Sequence, residues 1–288
     1  MVMSEPFGRT NKPYPRLWLS LQMGMGDAEG WAPQLADAAA ESGAVIDISN
    51  GPGFWGELLR TRDVPLLAFG GRECENASSA DHATDLLSAH IFQTLSSLGR
   101  STIDFYFLQV RRAWEEFQVD GAFSALESAR SDGLIKHFGL WADGHPLAVL
   151  GWWQFRDAFE AVMIPHHPLA SGYKEMFVSL ARQRRVGLVG CESLSWGTGC
   201  AVSELPSVKS VASGADFIRH AVVDMTTMVG VRSAKEVEAA RDAAANPHSN
   251  PELMVQATEA VSDPRQWEPL LADRRPWIKR AAERRLHA

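Results

Sequence analysis

Short apolar runs alternate with longer amphipathic stretches eight times along this chain, and few folds accommodate that rhythm. The runs are "RLWLSLQ" (16–22), "AVIDIS" (44–49), "VPLLAFG" (64–70), "STIDFYFLQ" (101–109), "IKHFGLW" (135–141), "AVMIPHH" (161–167), "VGLVGCESL" (186–194) and "MTTMVGV" (225–231). Each is apolar almost throughout, as strands of a parallel sheet covered on its faces must be. The stretches between them carry helical periodicity and helix stops, such as Gly43 after "WAPQLADAAAES". Eight strand–helix units predict an α/β fold, a closed (β/α)8 TIM barrel. An open, doubly wound sheet is the alternative. The residues from about 250 to 288 read as a helical C-terminal extension of one barrel domain spanning 1–288.

The 288 residues suit one such barrel, which typically needs about 250. A net charge of −7 argues against nucleic acid as the main partner, since phosphate binding needs a positive field. The basic run "RRPWIKRAAERRLHA" reads as a solvated helix face. Three cysteines without a CxxC pair fit a reducing compartment better than a disulfide framework or a zinc ribbon. No secretory h-region and no apolar run of membrane-spanning length is visible, so a cytoplasmic protein without membrane contact is expected. Oligomeric state is not readable.

In a barrel of this kind the active site lies at the C-terminal strand ends. Side chains alternate along a strand, so Val45, Asp47 and Ser49 share one face, as do Phe105, Phe107 and Gln109. A carboxylate inside an apolar strand costs several kcal/mol unless paired, which marks Asp47. The expected catalytic residues are Asp47, Gln109, His166 and Glu192; Trp55, Arg72, Trp141 and Cys191 are the expected substrate-binding residues. The adjacent His166 and His167 invite a metal reading, but strand neighbours point to opposite faces and no ligand spacing supports it, so no metal is expected. "GMGDAEG" places its last glycine one position late for a dinucleotide fingerprint, with Asp27 opposing phosphate.

Five segments resemble the aldo-keto reductase superfamily, in order and across nearly the whole chain. "GAVIDISNGPGFWGELLR" is similar to the strand that ends in Asp-Thr-Ala before a Tyr and Gly-x-Ser-Glu. "IDFYFLQ" is similar to "D-x-Y-L-L-H", and "ALESARSDGLIKHFGLW" to the stretch ending in "I-G-V-S-N". "PHHPL" and "MVGVRSAKEVEAA" resemble "Y-N-P-L" and "I-P-G-x-x-S-x-E-Q-L-E-E-N". The resemblance implies a nicotinamide-dependent barrel whose Asp, Tyr, Lys and His tetrad assists hydride transfer, with Tyr donating the proton.

Carried over position by position, only the Asp matches, at Asp47. Pro52 stands at the Tyr position, Phe69 or Gly70 at the Lys position with Arg72 the nearest cation, and Gln109 at the His position. Around the implied cofactor, Trp141-Ala142 replaces Ser-Asn, Met163 replaces Gln, Cys191 replaces the stacking aromatic and Ala239-Ala240 replaces Glu-Asn. Gly230, Arg232 and Ser233 keep the phosphate-side pattern, which also reads as ordinary helix capping. No cofactor is therefore favoured, with NADP kept open by those three residues. The leading expectation is a degenerate-tetrad barrel that binds or transforms a small organic molecule by non-redox acid–base chemistry, as in elimination, cyclisation or isomerisation. The alternatives are an NADP-dependent carbonyl reductase with an atypical proton donor, and a non-catalytic regulatory or scaffold subunit.

Overall fold

The computed structural model describes residues 6–22, 28–143, 146–166, 174–191 and 213–260. Eight strands stand where the apolar runs predict them: β1 (Leu17–Leu21), β2 (Val45–Asp47), β3 (Leu66–Gly70), β4 (Ile103–Gln109), β5 (Ile135–Trp141), β6 (Ala161–Pro165), β7 (Gly187–Cys191) and β8 (Thr226–Val231). All neighbours pair in parallel, and β1 closes on β8 with Ser20 opposite Gly230. That closure rules out the open sheet. The helices are α1 (Ala28–Glu41), α2 (Pro52–Leu59), α3 (Ala80–Leu98), α4 (Glu116–Ser131), α5 (Pro146–Phe155), α6 (Lys174–Arg184), α7 (Gly214–Asp224), α8 (Ala234–Ala245) and α9 (Pro251–Ala260). The last described element is α9, and residues 261–288, most of the predicted C-terminal extension, lie outside the described residues. Among the described residues no helix is long and apolar enough to cross a membrane.

Local chemistry sets the helix limits. Ser79 caps α3 by accepting from His82 N, and Gly99 ends it with φ of +60°. Leu87, Ile91, Leu95 and Leu98 form its buried stripe. Glu115 and Gln118 form a reciprocal capping box at the start of α4.

Strand alternation divides the core in two. Outward residues such as Leu19, Ile46, Leu66, Tyr106 and Leu140 pack beneath the helices. Inward residues fill the barrel, among them Trp18, Val45, Leu67, Phe105, Phe107, Met163 and Cys191. The filling is aromatic: Phe105 stacks on Phe107 at 6.2 Å and Trp18 lies 4.9 Å from Phe105. Gly139 makes room for it, since a Cβ there would lie 2.6 Å from the Phe107 ring.

A segment to which the sequence pattern assigns no role closes the N-terminal end. Phe7 enters the barrel against Trp18 and Phe105, held by a bridge between Pro6 and Pro13 and by Phe7 N donating to Lys12 O at 2.8 Å. Gly8 is indispensable to this seat: its φ is +53°, and a Cβ would lie 2.1 Å from Gly187 N.

Candidate functional site

The filling thins toward the C-terminal mouth, where polar inward positions begin on β1 and β2. Asp47 ends β2 and is buried, facing inward two residues after Val45. Ser20 Oγ donates to its Oδ2 at 2.5 Å and Ser49 N donates to Oδ1 at 2.9 Å. Gln22 Nε2 donates to Ser20 Oγ at 2.8 Å, and Asn50 Nδ2 donates to Gln22 Oε1 at 3.2 Å. A hydrogen-bonded chain thus runs from a buried carboxyl to exposed Asn50. Burial raises the Asp47 pKa above the usual carboxylate value, and the hydrogen bonds from Ser20 and Ser49 offset only part of that. Ser20 and Asn50 are functional candidates that the sequence pattern alone did not single out. The signal was present: Ser20 and Gln22 are polar, inward and two apart in an otherwise apolar strand.

A carboxyl whose folded pKa exceeds its unfolded value near 3.8 loses stabilisation as pH rises through the folded value, because the native state must surrender a proton it holds more tightly. Asp47→Asn should therefore gain stability relative to the parent as pH rises from 4 to 7. Urea denaturation at pH 7 and pH 4 tests this; a gain that does not shrink toward pH 4 would contradict the assigned protonation.

Across the mouth lies an aromatic wall. Phe69, the penultimate residue of β3, and Gln109 and Trp141, which end β4 and β5, are half-buried, with Phe69 and Trp141 ring centroids 4.4 Å apart. Phe69 is the inward residue at the end of β3 and so takes the position the resemblance gives to the Lys. Gly70 faces outward against Tyr106. Arg72 reaches Asp143 Oδ2 at 3.1 Å and Arg111 Nε reaches the same oxygen at 2.7 Å. These ion pairs tie together the rim loops after β3, β4 and β5. Cys191 faces inward, fully buried, with Sγ donating to Ile164 O at 3.3 Å.

Two expected site residues lie elsewhere. Trp55 is fully buried on α2, edge-on to Trp31 of α1 at 5.9 Å, with Nε1 donating to Asn50 O. It belongs to the outer core, because the apolar face of α2 packs toward the sheet rather than the mouth. His166 follows inward-facing Met163 at odd spacing, so alternation sends it outward. There it packs on β7, where a Cβ added to Gly190 would lie 2.9 Å from His166 Cβ. Neither ring nitrogen has a partner among the described residues, and burial, with Lys174 next, pushes its pKa down to about 3. His166 is a neutral packed imidazole, not a proton carrier at the mouth. Glu192 and His167 lie outside the described residues.

No described tyrosine replaces the expected proton donor. Tyr106 faces the outer core with Oη 2.6 Å from His90 Nδ1, and Tyr14 sits at the opposite end of the barrel against Phe7 and Phe105. At the phosphate-side pattern, Gly230 stands beside Ser20. Ser233 caps α8 by accepting from Glu236 N, while the Glu236 carboxylate accepts from Arg232 N at 2.6 Å. Two amides that could face an anion are thus bound to the chain's own acceptors, one of them a carboxylate. Among the described residues no three His, Cys, Asp or Glu side chains are grouped as metal ligands.

Eight parallel strands closed on themselves and alternating with helices define a (β/α)8 barrel. Solved structures with this fold include an aldo-keto reductase from Bacillus halodurans in its apo form, with TM-score 0.66 and 16% identity over 89% of this chain and 95% of that one. An aldo-keto reductase from Brucella melitensis gives TM-score 0.65 and 13% identity, covering 88% and 98%. One from a deep-sea metagenome library gives 0.64 and 12%, covering 88% and 93%. No protein-family model and no curated protein matches the sequence. The shared property is the fold.

Proposed function

We propose that this barrel binds a small planar organic molecule at its C-terminal mouth and transfers a proton there through Asp47, without hydride transfer. The observation that carries this reading is the environment of Asp47. It is a buried carboxyl with raised pKa, held by Ser20 and Ser49, with Phe69 where the resemblance would place a balancing Lys. Such a group suits general acid–base catalysis, because its proton affinity lies nearer the working pH. Phe69 and Trp141 offer an apolar wall for a flat ligand, and Gln109 beside Trp141 offers a hydrogen-bond donor and acceptor. The Asn50–Gln22–Ser20 chain orients the carboxyl and links it to solvent. A proton-shift isomerisation needs a proton taken and returned at one carboxyl beside a bound, desolvated substrate; cyclisation adds ring closure between the two transfers, and elimination adds a leaving group that departs through the open mouth.

The residues present do not fit a nicotinamide cofactor. Cys191 offers no ring to stack on, Trp141-Ala142 and Met163 lack carboxamide partners, and the Glu236 carboxylate occupies the Arg232 amide. Titration with NADPH should give no saturable quenching of tryptophan fluorescence, although Trp141 lies at the mouth. Aryl ketones and conjugated enones should raise the thermal midpoint, with Phe69→Ala abolishing the rise. Saturable NADPH binding with carbonyl reduction would sink the proposal in favour of a reductase with an atypical donor.

A further inference from the structure

The N-terminal end of the barrel, opposite the mouth, carries a second feature that the proposed chemistry does not use. A cleft of about 540 Å³ opens between the segment around Phe7, the end of α6 and the turn from α7 into β8. That volume lies within the range of small-molecule sites, roughly 300–1,000 Å³. Its walls are apolar at Phe7, Tyr14, Val186 and Met225, while Arg16, Arg182 and Arg185 line its rim. The sole lining carboxylate among the described residues is Asp224, which is held by Lys174 Nζ at 2.5 Å. In a chain with net charge −7, this cleft is locally positive.

The three arginines are not equivalent. Arg16 is anchored, its Nη1 donating to Val222 O and Val223 O at the end of α7. Arg182 lies in the last turn of α6, where a cation also complements the helix dipole. Arg185 lies past that helix in left-handed backbone, with φ of 54°. Val186 N bonds Ala181 O at 2.9 Å across it, so Arg185 fills the closing position usually given to Gly. An arginine there bears a backbone cost that helix termination does not require, and it sets a guanidinium on the cleft rim. No ion pair or hydrogen bond engages the Arg182 or Arg185 side chain among the described residues. The Gly8–Gly187 contact fixes the wall between them and Phe7.

We infer that this cleft is a binding site for a phosphomonoester with an apolar body, such as an aryl phosphate. The guanidinium fork matches phosphate oxygens in geometry and charge, and the half-buried Tyr14 ring takes the apolar part. The site is independent of the mouth, since the barrel filling of Trp18, Phe105 and Phe107 separates the two.

Calorimetric titration of the full chain with naphthyl phosphate, naphthol and inorganic phosphate tests the assignment. Naphthyl phosphate should bind with one-site stoichiometry and weaken with added salt, and both fragments should bind more weakly. Arg182→Glu combined with Arg185→Glu should weaken naphthyl phosphate by more than about tenfold, the scale of one lost charged contact. Both positions are exposed, so the thermal midpoint should fall by only a few degrees, the scale of the lost Arg182 contact with the helix dipole, and report intact folding. Asp47→Asn should leave the affinity unchanged. Absent saturable binding, equal affinity in the double variant, or loss of binding in Asp47→Asn would each overturn the assignment. Binding to anionic vesicles but not to naphthyl phosphate would overturn it in favour of a membrane surface.

Discussion

Replacing His166 by Leu is expected to flatten the acid denaturation of this protein, with little loss of stability at neutral pH. His166 is buried, with both ring nitrogens unpartnered among the described residues, and its pKa is pushed down to about 3 from an ordinary 6.5. Above pH 6.5 neither folded nor unfolded chain protonates this imidazole, so it contributes nothing to the pH dependence. Below 6.5 the unfolded chain takes up a proton that the native state refuses, and stability falls by about 1.4 kcal/mol per pH unit from this group. The loss continues until the native imidazole itself protonates, near pH 3. Lys174, His220 and Asp224 are the charged neighbours: the two cations oppose protonation and Asp224 favours it. His220 is also depressed by burial, and its Nδ1, which accepts from Asn250 N, is bonded in the neutral form, so part of the acid sensitivity survives in the variant. Urea denaturation at pH 7, 6, 5 and 4 should therefore show the variant's advantage growing toward acid, by roughly 2–3 kcal/mol between pH 6 and 4. Parallel pH profiles for parent and variant would refute the assignment of His166 as a buried neutral imidazole.

The eight strands were legible because a parallel barrel buries both faces of each strand, and the resulting apolar runs survive in the sequence whatever chemistry the mouth performs. Asp47 was legible for the converse reason: a lone carboxylate in such a run demands a purpose or a partner. His166 differs from the expectation: its strand-end place beside a second histidine predicts a mouth residue, whereas its odd spacing from inward Met163 sends the side chain outward. Trp55 could not be placed from sequence. In "PGFWGELL" Phe54, Trp55, Leu58 and Leu59 cover more than one face, and only packing against Trp31 decides which ring is enclosed. Phe7 left no trace at all, since "SEPFGRTNKPYP" has no period and its stopper role depends on Gly8 meeting the distant Gly187. The network around Asp47 was half visible: Gln22 stood at a strand end, but Ser20 matters only once the β1–β2 pairing sets it opposite Asp47.

Gly70→Ala should be among the most damaging single-methyl additions in the chain, and its damage should be specifically coupled to Tyr106. Gly70 ends β3 facing the outer core, where an added Cβ would lie 1.9 Å from Tyr106 Oη, 2.8 Å from Tyr106 Cζ and 2.7 Å from His90 Nδ1. Tyr106 cannot easily retreat: it is fully buried and bonded to His90 Nδ1 at 2.6 Å, with its pKa raised well above 10 by burial. Overpacking of this kind should cost about 3 kcal/mol or more, since either the ring or the strand must move. Tyr106→Phe alone should cost about 1–2 kcal/mol, because His90 loses its short partner and keeps only Thr94 Oγ1 at 3.5 Å. In the double variant the hydroxyl clash is gone while the Cζ contact remains tight, so the loss should fall below the sum of the singles by at least about 1 kcal/mol. Urea denaturation of the four proteins measures that coupling. Additive losses would mean that strand β3 shifts instead of the ring. That outcome would also displace Phe69, the next residue along, and weaken binding of any planar ligand at the mouth in step with stability. Coupling without such loss would instead show that the outer core absorbs the strain and that the aromatic wall of the mouth is set independently of it.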